Sequence, residues 1–233
     1  MHTLLSPDRV YVTVDILILS VRSGRLCLAL ARRAEDPYRG MWALPGRFVG
    51  LTESAETTVR HLMDEMLPID RVFMEQLYTF TDVNRDPRGR VISTAYLVIV
   101  PWKRLEGILA GSRLRLFEAG RRDGKMFLTG EGVSLTGGDL AFDHGRIIQS
   151  GISRLEGKID YTDIGFRFLN DPGAFSLGEL QTVFEAVLAR PMDSSNFRRF
   201  IRTRYLDTRK VIPTDGGEKP RRGRPASLYA LAE

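Results

Sequence analysis

The chain has 233 residues, 43% apolar and 27% charged, enough apolar material to bury a core in one medium and one small domain, which excludes a disordered protein. Its single cysteine, Cys27, sits in the apolar run Leu26-Cys27-Leu28-Ala29-Leu30, which excludes an internal disulfide framework and fits a buried thiol in a reducing compartment. The net charge of +5 is uneven: residues 1–172 hold 23 Lys/Arg against 22 Asp/Glu, residues 173–233 hold 11 against 7, and residues 196–224 ten against three, the footprint expected of nucleic-acid binding at the C-terminal end.

Residues 10–20 alternate Val12, Val14, Ile16 and Ile18 with Tyr11, Thr13, Asp15 and Leu17, which predicts a strand with one more polar face. Arg22-Ser23-Gly24 turns the chain into a partner strand over residues 25–31,. No continuous apolar stretch is long enough to span a bilayer and no secretory signal pattern opens the chain, so a cytoplasmic, nucleoid-associated location without membrane contact is expected. Residues 37–40 break the pattern, and Trp42-Ala43-Leu44-Pro45-Gly46 leads into a loop. Residues 54–66 take helical spacing through Val59, Leu62, Met63 and Met66, capped by Ser54 or Thr52,. Residues 74–80 and 91–102 read as long strands around the turn Asn84-Arg85-Asp86-Pro87-Arg88-Gly89,. This order of strands, helix and strands predicts a mixed sheet with helices packed on it.

Eight glycines between Gly107 and Gly138 divide residues 103–140 into short runs that predict hairpins or a mobile excursion, with no function assigned,. Residues 143–158 regain helical periodicity through Ile147, Ile148, Ile152 and Leu155, and Asp171-Pro172-Gly173 punctuates the chain after it,. That helix is expected to connect an N-terminal unit, residues 1–158, to a C-terminal unit, residues 159–233. Ser176-Leu177-Gly178-Glu179 has the spacing of a capping box, in which hydroxyl and carboxylate satisfy backbone donors reciprocally, and it opens an amphipathic helix ended by Pro191,. Asp193 or Ser194 caps a second helix with Phe197, Phe200 and Ile201 inside and Arg198, Arg199 and Arg202 outside,. Two helices across a short turn, the second basic on its outer face, form a helix-turn-helix pattern. Residues 206–212 and 226–231 complete it as a two-stranded wing tipped by Arg221, Arg222 and Arg224.

Residues 42–67 resemble a degraded Nudix box, the pattern Gly, five residues, Glu, seven residues, Arg-Glu-apolar-x-Glu-Glu-x-Gly-apolar. That chemistry needs carboxylates on one helix face to hold Mg²⁺ or Mn²⁺ against a diphosphate. Arg47 stands where the second glycine of a Gly-Gly pair often stands. With Gly46 as anchor, Thr52 replaces the first Glu, Arg60 matches, His61 replaces the next Glu, Asp64 and Glu65 match the acidic pair, and Leu67 replaces Gly. With Glu53 as anchor the spacing to the helix is one residue short. In either register His61 interrupts the carboxylate set.

With the stretches Val12-Thr13-Val14-Asp15, Leu77-Tyr78-Thr79-Phe80, residues 85–90, Ala141-Phe142-Asp143-His144, residues 175–181, Asn196-Phe197-Arg198-Arg199 and residues 222–229, the chain resembles the Nudix-related transcriptional regulators of the NrtR type. The resemblance implies an α+β chain: a Nudix-like α/β/α sandwich with a mixed sheet, then a C-terminal winged helix-turn-helix domain. It implies a homodimeric repressor on palindromic operator DNA, acting on NAD-metabolism genes and responding to ADP-ribose or a related nucleotide. Regulators of this type with altered boxes act on sugar catabolism, so a sugar-type ligand stands as the alternative. Arg47, Glu65, Arg88 and Arg90 are the expected ligand contacts, because guanidinium forks match phosphate oxygens. Ser194, Asn196, Arg198, Arg199, Arg202, Arg222 and Arg224 are the expected DNA contacts. No residue is assigned as catalytic and no resident cofactor is required; a Mg²⁺ or Mn²⁺ ion brought by a nucleotide would fall on Asp64 and Glu65. Two rivals are an active Nudix hydrolase, disfavoured by the incomplete acidic set, and a protein-binding scaffold, disfavoured by the arginine face of the second helix.

Overall fold

The computed structural model describes residues 9–70, 72–122, 124–219 and 226–232, with residues 215–219 and 226 described by backbone only. In chain order the elements are β1 (Tyr11–Arg22), β2 (Arg25–Arg32), β3 (Trp42–Ala43), β4 (Gly46–Phe48), α1 (Ala55–Met66), β5 (Phe73–Phe80) and β6 (Val91–Ile99). These are followed by α2 (Trp102–Leu109), β7 (Leu114–Arg122), β8 (Lys125–Gly130), β9 (Val133–Leu135) and α3 (His144–Lys158). The C-terminal part holds β10 (Phe175–Ser176), α4 (Leu177–Leu188), α5 (Ser194–Ile201), β11 (Val211–Lys219) and β12 (Ala226–Leu231).

A mixed sheet runs β5-β6-β1-β2-β7-β8-β9, with β3 on β2 and β4 on β1. Among the described strands β1 and β6 pair in parallel, and the other strand pairs are antiparallel. Helices cover both faces, as in an α/β/α sandwich. Val14, Ile16 and Ile18 of β1 meet Val59, Leu62 and Met63 of α1 and Leu105 of α2. On the other face Leu17 and Leu19 join Ile147, Ile148, Ile152 and Leu155 of α3 in a core that continues into Leu180, Val183, Phe184 and Val187 of α4. The helix α3 lies close on β1: a Cβ at Gly151 would meet Leu17 Cδ2 at 2.2 Å. It is therefore a layer of the sandwich that also packs against α4.

Three local expectations change. The strand β1 has no solvent-facing side between Thr13 and Ser20, because both faces are roofed by helices, and the residue read as its polar side, Asp15, is buried. The glycine-rich stretch is ordered into α2 and a β7-β8-β9 meander that extends the sheet beyond β2. No signal announced α2, since its N-cap is Pro101 without a side-chain cap bond and only Leu105 is buried. The third change is in the wing, where β10, β12 and β11 form three strands, the added β10 pairing Phe175 with Tyr229.

The C-terminal part packs around aromatic rings. Phe166, from 3-10 turns at Asp163–Phe168, meets Tyr205 at 5.0 Å and Phe175 at 5.6 Å, and Phe184 meets Phe197 at 5.2 Å. Both bonds of the Ser176–Glu179 capping box form: Ser176 N–H donates to the Glu179 carboxylate at 2.8 Å and Glu179 N–H donates to Ser176 Oγ at 3.2 Å. The helix α4 ends at Leu188 with Ala189 in the left-handed region, two residues before Pro191, a usual way of closing the last turn,. Among the described residues no helix is long and apolar enough to cross a membrane.

Candidate ligand cleft and nucleic-acid interface

The cleft forms where β1, β4, the 81–90 turn and the start of α3 converge. Thr13, Asp15, Arg33, Glu35, Gly46, Arg47, Phe48, Arg85, Asp86, Arg88, Phe142 and His144 line it with Leu44. At its floor Asp15 faces three partners. Ser93 Oγ donates to it, Arg85 lies at 3.4 Å, and His144 Nε2 at 3.5 Å. The His144 Nδ1 atom accepts the Leu44 N–H at 2.8 Å. This leaves Nε2 as the protonated nitrogen facing Asp15, the second hydrogen bond fixing the tautomer. Burial alone would raise the Asp15 pKa, but His144, Ser93 and Arg85 outweigh it and hold the carboxyl below its ordinary value,.

Arg85, whose side chain is 3% exposed, also grips Asp143 through two bonds of 3.1 and 2.7 Å. Asp143 is the N-cap of α3, so this one guanidinium ties the 81–90 turn, β1 and α3 together. Gly46 is required by the same cluster: a Cβ there would lie 2.3 Å from Asp15 Oδ1 and 2.8 Å from the Val14 carbonyl oxygen. Gly46→Ala is accordingly expected to cost about 1–3 kcal/mol by overpacking, readable in urea unfolding. A loss below about 0.5 kcal/mol, the range of a neutral surface change, would mean the Asp15 carboxylate moves freely.

Above this floor the walls are arginines and aromatic rings. Phe142 has φ of 53°, an uncommon left-handed conformation that costs energy and is often found at functional sites,. Arg33 lies 4.6 Å and Arg88 5.5 Å from the Phe142 ring centre, and Arg88 also lies 5.2 Å from Phe48. Arg88 is held by Asp86 at 2.7 Å, and Arg33 donates to the carbonyls of Pro37 and Glu35. Burial and the neighbouring Arg88 charge both disfavour the charged form of Arg33. An anion entering between these arginines would relieve that electrostatic cost.

Helix α1 places the box residues differently from a hydrolase pattern. Ser54 is its N-cap, accepting the Thr57 N–H at 3.1 Å. In the register anchored on Glu53 a carboxylate is turned to the helix, accepting Thr58 Oγ1 at 2.8 Å and meeting His61 Nδ1 at 3.0 Å. These two contacts, Thr58 first, lower the Glu53 pKa. Glu65 is taken by Arg47 at 2.8 Å, Asp64 is exposed, and Leu67, standing where glycine is expected, is buried in the core. Among the described residues no group of three or more His, Cys, Asp or Glu is placed to hold a metal ion.

At the other end, α5 buries Phe197 and Ile201 and continues through a π-type turn, Arg202–Leu206, that buries Tyr205. Its cap is Asp193, accepting the Asn196 N–H at 2.8 Å. Ser194, Asn196, Arg198, Arg199 and Arg202 are all exposed on the opposite side, with Arg199 donating to Asn196 Oδ1 at 3.1 Å. Arg204 turns back to the Tyr161 carbonyl, and Tyr205 Oη donates to the Thr162 carbonyl at 3.0 Å. Arg222 and Arg224 lie outside the described residues.

Residues 165–231 match the family model described as the NrtR DNA-binding winged helix domain. Over 223 residues, 94% of this chain and 81% of the relative, the sequence is 30% identical to a protein of Acinetobacter baylyi named "ADPR responsive transcriptional repressor NtrR". The chain belongs to the NrtR family. Among solved structures, NrtR of Shewanella oneidensis complexed with a 27mer DNA is similar at a TM-score of 0.74 and 28% identity, covering 95% of this chain and 93% of that one. A MutT/nudix family protein from Enterococcus faecalis is similar at 0.78 and 27%, covering 99% and 90%.

This NrtR-family chain brings Arg47 and Arg88 to the cleft but not Arg90, which departs from expectation. The Arg90 guanidinium donates to the Thr81 and Asp82 carbonyls and so clamps its own turn. Glu65 reaches the cleft only through Arg47. Sequence reasoning missed Arg33, Asp15, Arg85, Phe142 and His144 as site residues. Four of the five fall in stretches that carry the NrtR resemblance, which is the signal that could have found them; Arg33 has none.

Proposed function

We propose that this protein is a homodimeric transcriptional repressor whose N-terminal unit, residues 1–158, binds ADP-ribose or a related nucleotide, and whose C-terminal unit, residues 159–233, binds operator DNA of NAD-metabolism genes. Membership of a family with an ADPR-responsive repressor supports the ligand class and the repressor role. Solved NrtR with DNA supports the partner, and a cytoplasmic, nucleoid-associated location is part of this reading. Arg33, Arg47 and Arg88 would meet the diphosphate, with Phe142 and Phe48 giving apolar walls. Arg90 is left out of this set. Hydrolysis is weak or absent, because His61 interrupts the carboxylates that an effective metal site requires.

The observation that carries this reading is a continuous chain of contacts from cleft to reading helix. Arg85 joins the 81–90 turn to Asp143 at the start of α3. At the far end of α3, Lys158 pairs with Glu75 at 2.8 Å and its carbonyl accepts Thr162 Oγ1 at 2.9 Å. Tyr161 and Thr162 then hold Arg204 and Tyr205 of the turn that follows α5. A ligand that shifts Arg85 or Arg88 therefore has a packed route to the spacing of two recognition helices in a dimer. Half-sites lie about 34 Å apart or a multiple of it, so small rotations matter.

The test is reciprocity. Coupling of about 1–3 kcal/mol changes operator affinity roughly 5–150-fold, and operator must weaken ligand binding by the same factor. Calorimetric titration of ADP-ribose with and without saturating operator duplex is expected to show that loss. Equal affinities in the two titrations would refute control through this cleft.

A further inference from the structure

The Nudix fold implies a divalent cation between the box carboxylates and the substrate diphosphate, and the residues present do not fit one. Glu65 already accepts Arg47 Nη1 at 2.8 Å, Glu53 is engaged by Thr58 and His61, and Asp64 stands exposed beside them. His61 occupies a carboxylate position and is itself 3.0 Å from Glu53. A cation seated between Glu65 Oε1 and the cleft would compete with a guanidinium.

We propose that Arg47 takes the place of the metal, so that the cleft binds a nucleotide diphosphate without any divalent ion. This rests on the cleft being the nucleotide site. Arg47 is on β4, opposite Val14 of β1, and lines the cleft while its tip is anchored on α1. One edge of the guanidinium faces the box carboxylate as a metal would. Its remaining N–H donors can take phosphate oxygens, since the planar fork carries five in all. The position matters because a glycine there, as in a Gly-Gly entry loop, would leave the space between Glu65 and the cleft to an ion. A side chain with fixed charge fills it instead, and Arg33 and Arg88, which line the same cleft, add two more cations against a dication,. The cation of the box has become part of the chain.

The experiment is calorimetric titration of the full-length protein with ADP-ribose in EDTA and in Mg²⁺ or Mn²⁺, alongside Mn²⁺ titration of the protein alone followed by electron paramagnetic resonance. Affinity in EDTA is expected to equal that in metal within about twofold, and the protein alone should show no saturable Mn²⁺ binding in the micromolar range. Arg47→Ala should weaken binding in EDTA at least about tenfold, as expected for loss of charge-assisted hydrogen bonds. Arg47→Lys keeps the charge without the fork and should fall between them, which covers the case of an alanine variant that does not fold. Metal-dependent binding by the wild-type protein, or Arg47 variants that bind as tightly in EDTA, would overturn the proposal while leaving the nucleotide site standing. Absence of ADP-ribose binding in every buffer would instead overturn the nucleotide reading and this inference with it.

Discussion

Arg85→Ala is expected to destabilise the protein by about 3–5 kcal/mol, the range for removing one member of a buried ion group and leaving its partners uncompensated. Asp15 and Asp143 would both lose the guanidinium that lies 3.4 and 2.7 Å from them, at side-chain exposures of 8% and 10%. The change has a pH signature. Asp15 is held below its ordinary pKa in the folded state, so its contribution is present above the unfolded carboxylate value and is lost as pH falls through the lowered folded one,. Removing Arg85 takes away one of the influences lowering it, so the folded value rises toward the unfolded one and the part of the stability that is lost in acid shrinks,. Urea unfolding of both proteins at pH 7 and across the acid range, roughly pH 2–5 around the ordinary carboxylate pKa, would show this. A cost under about 1 kcal/mol at pH 7, typical of an exposed pair, with an unchanged acid limb would mean the cluster is solvated and holds nothing together.

Replacing Arg198, Arg199 and Arg202 together by alanine should abolish high-affinity operator binding. Each arginine that reads a base edge carries about 1–3 kcal/mol of discrimination, and each that contacts a phosphate contributes about one to the slope of affinity against salt. The fold should survive, because all three are exposed while Phe197, Ile201 and Tyr205 hold the helix. Arg204→Ala is the comparison. Its guanidinium is turned to the Tyr161 carbonyl, so it should leave the salt slope unaltered and reduce the coupling between ligand and DNA. Salt-dependent affinity on operator and scrambled duplexes separates these effects. Unchanged affinity and slope in the triple variant would show that another surface reads DNA.

The site was legible only in part, and the failures share a cause. Arg47 and Arg88 could be picked from a box and a turn, because each belongs to a short pattern with a chemical meaning. Arg90 belongs to the same turn yet bonds the Thr81 and Asp82 carbonyls, and nothing in Arg-Gly-Arg distinguishes the two side chains. Arg33 has no motif. Its place depends on Phe142, more than a hundred positions along the chain.

The sequence by itself determined what depends on neighbours a few residues apart: the reciprocal Ser176–Glu179 box, the amphipathic faces of α1, α3, α4 and α5, and the basic exterior of α5, and it narrowed the two other caps to Ser54 or Thr52 and Asp193 or Ser194. These rest on backbone donors and helical period, which act locally. Tertiary structure alone decided that β1 is buried on both faces, that residues 114–135 extend the sheet, and that Arg85 joins Asp15 and Asp143 across 70 and 58 positions. A buried charge is tolerated only where packing brings its counter-charges, and which residues meet there is set by the sheet order, not by the residues beside them in the chain.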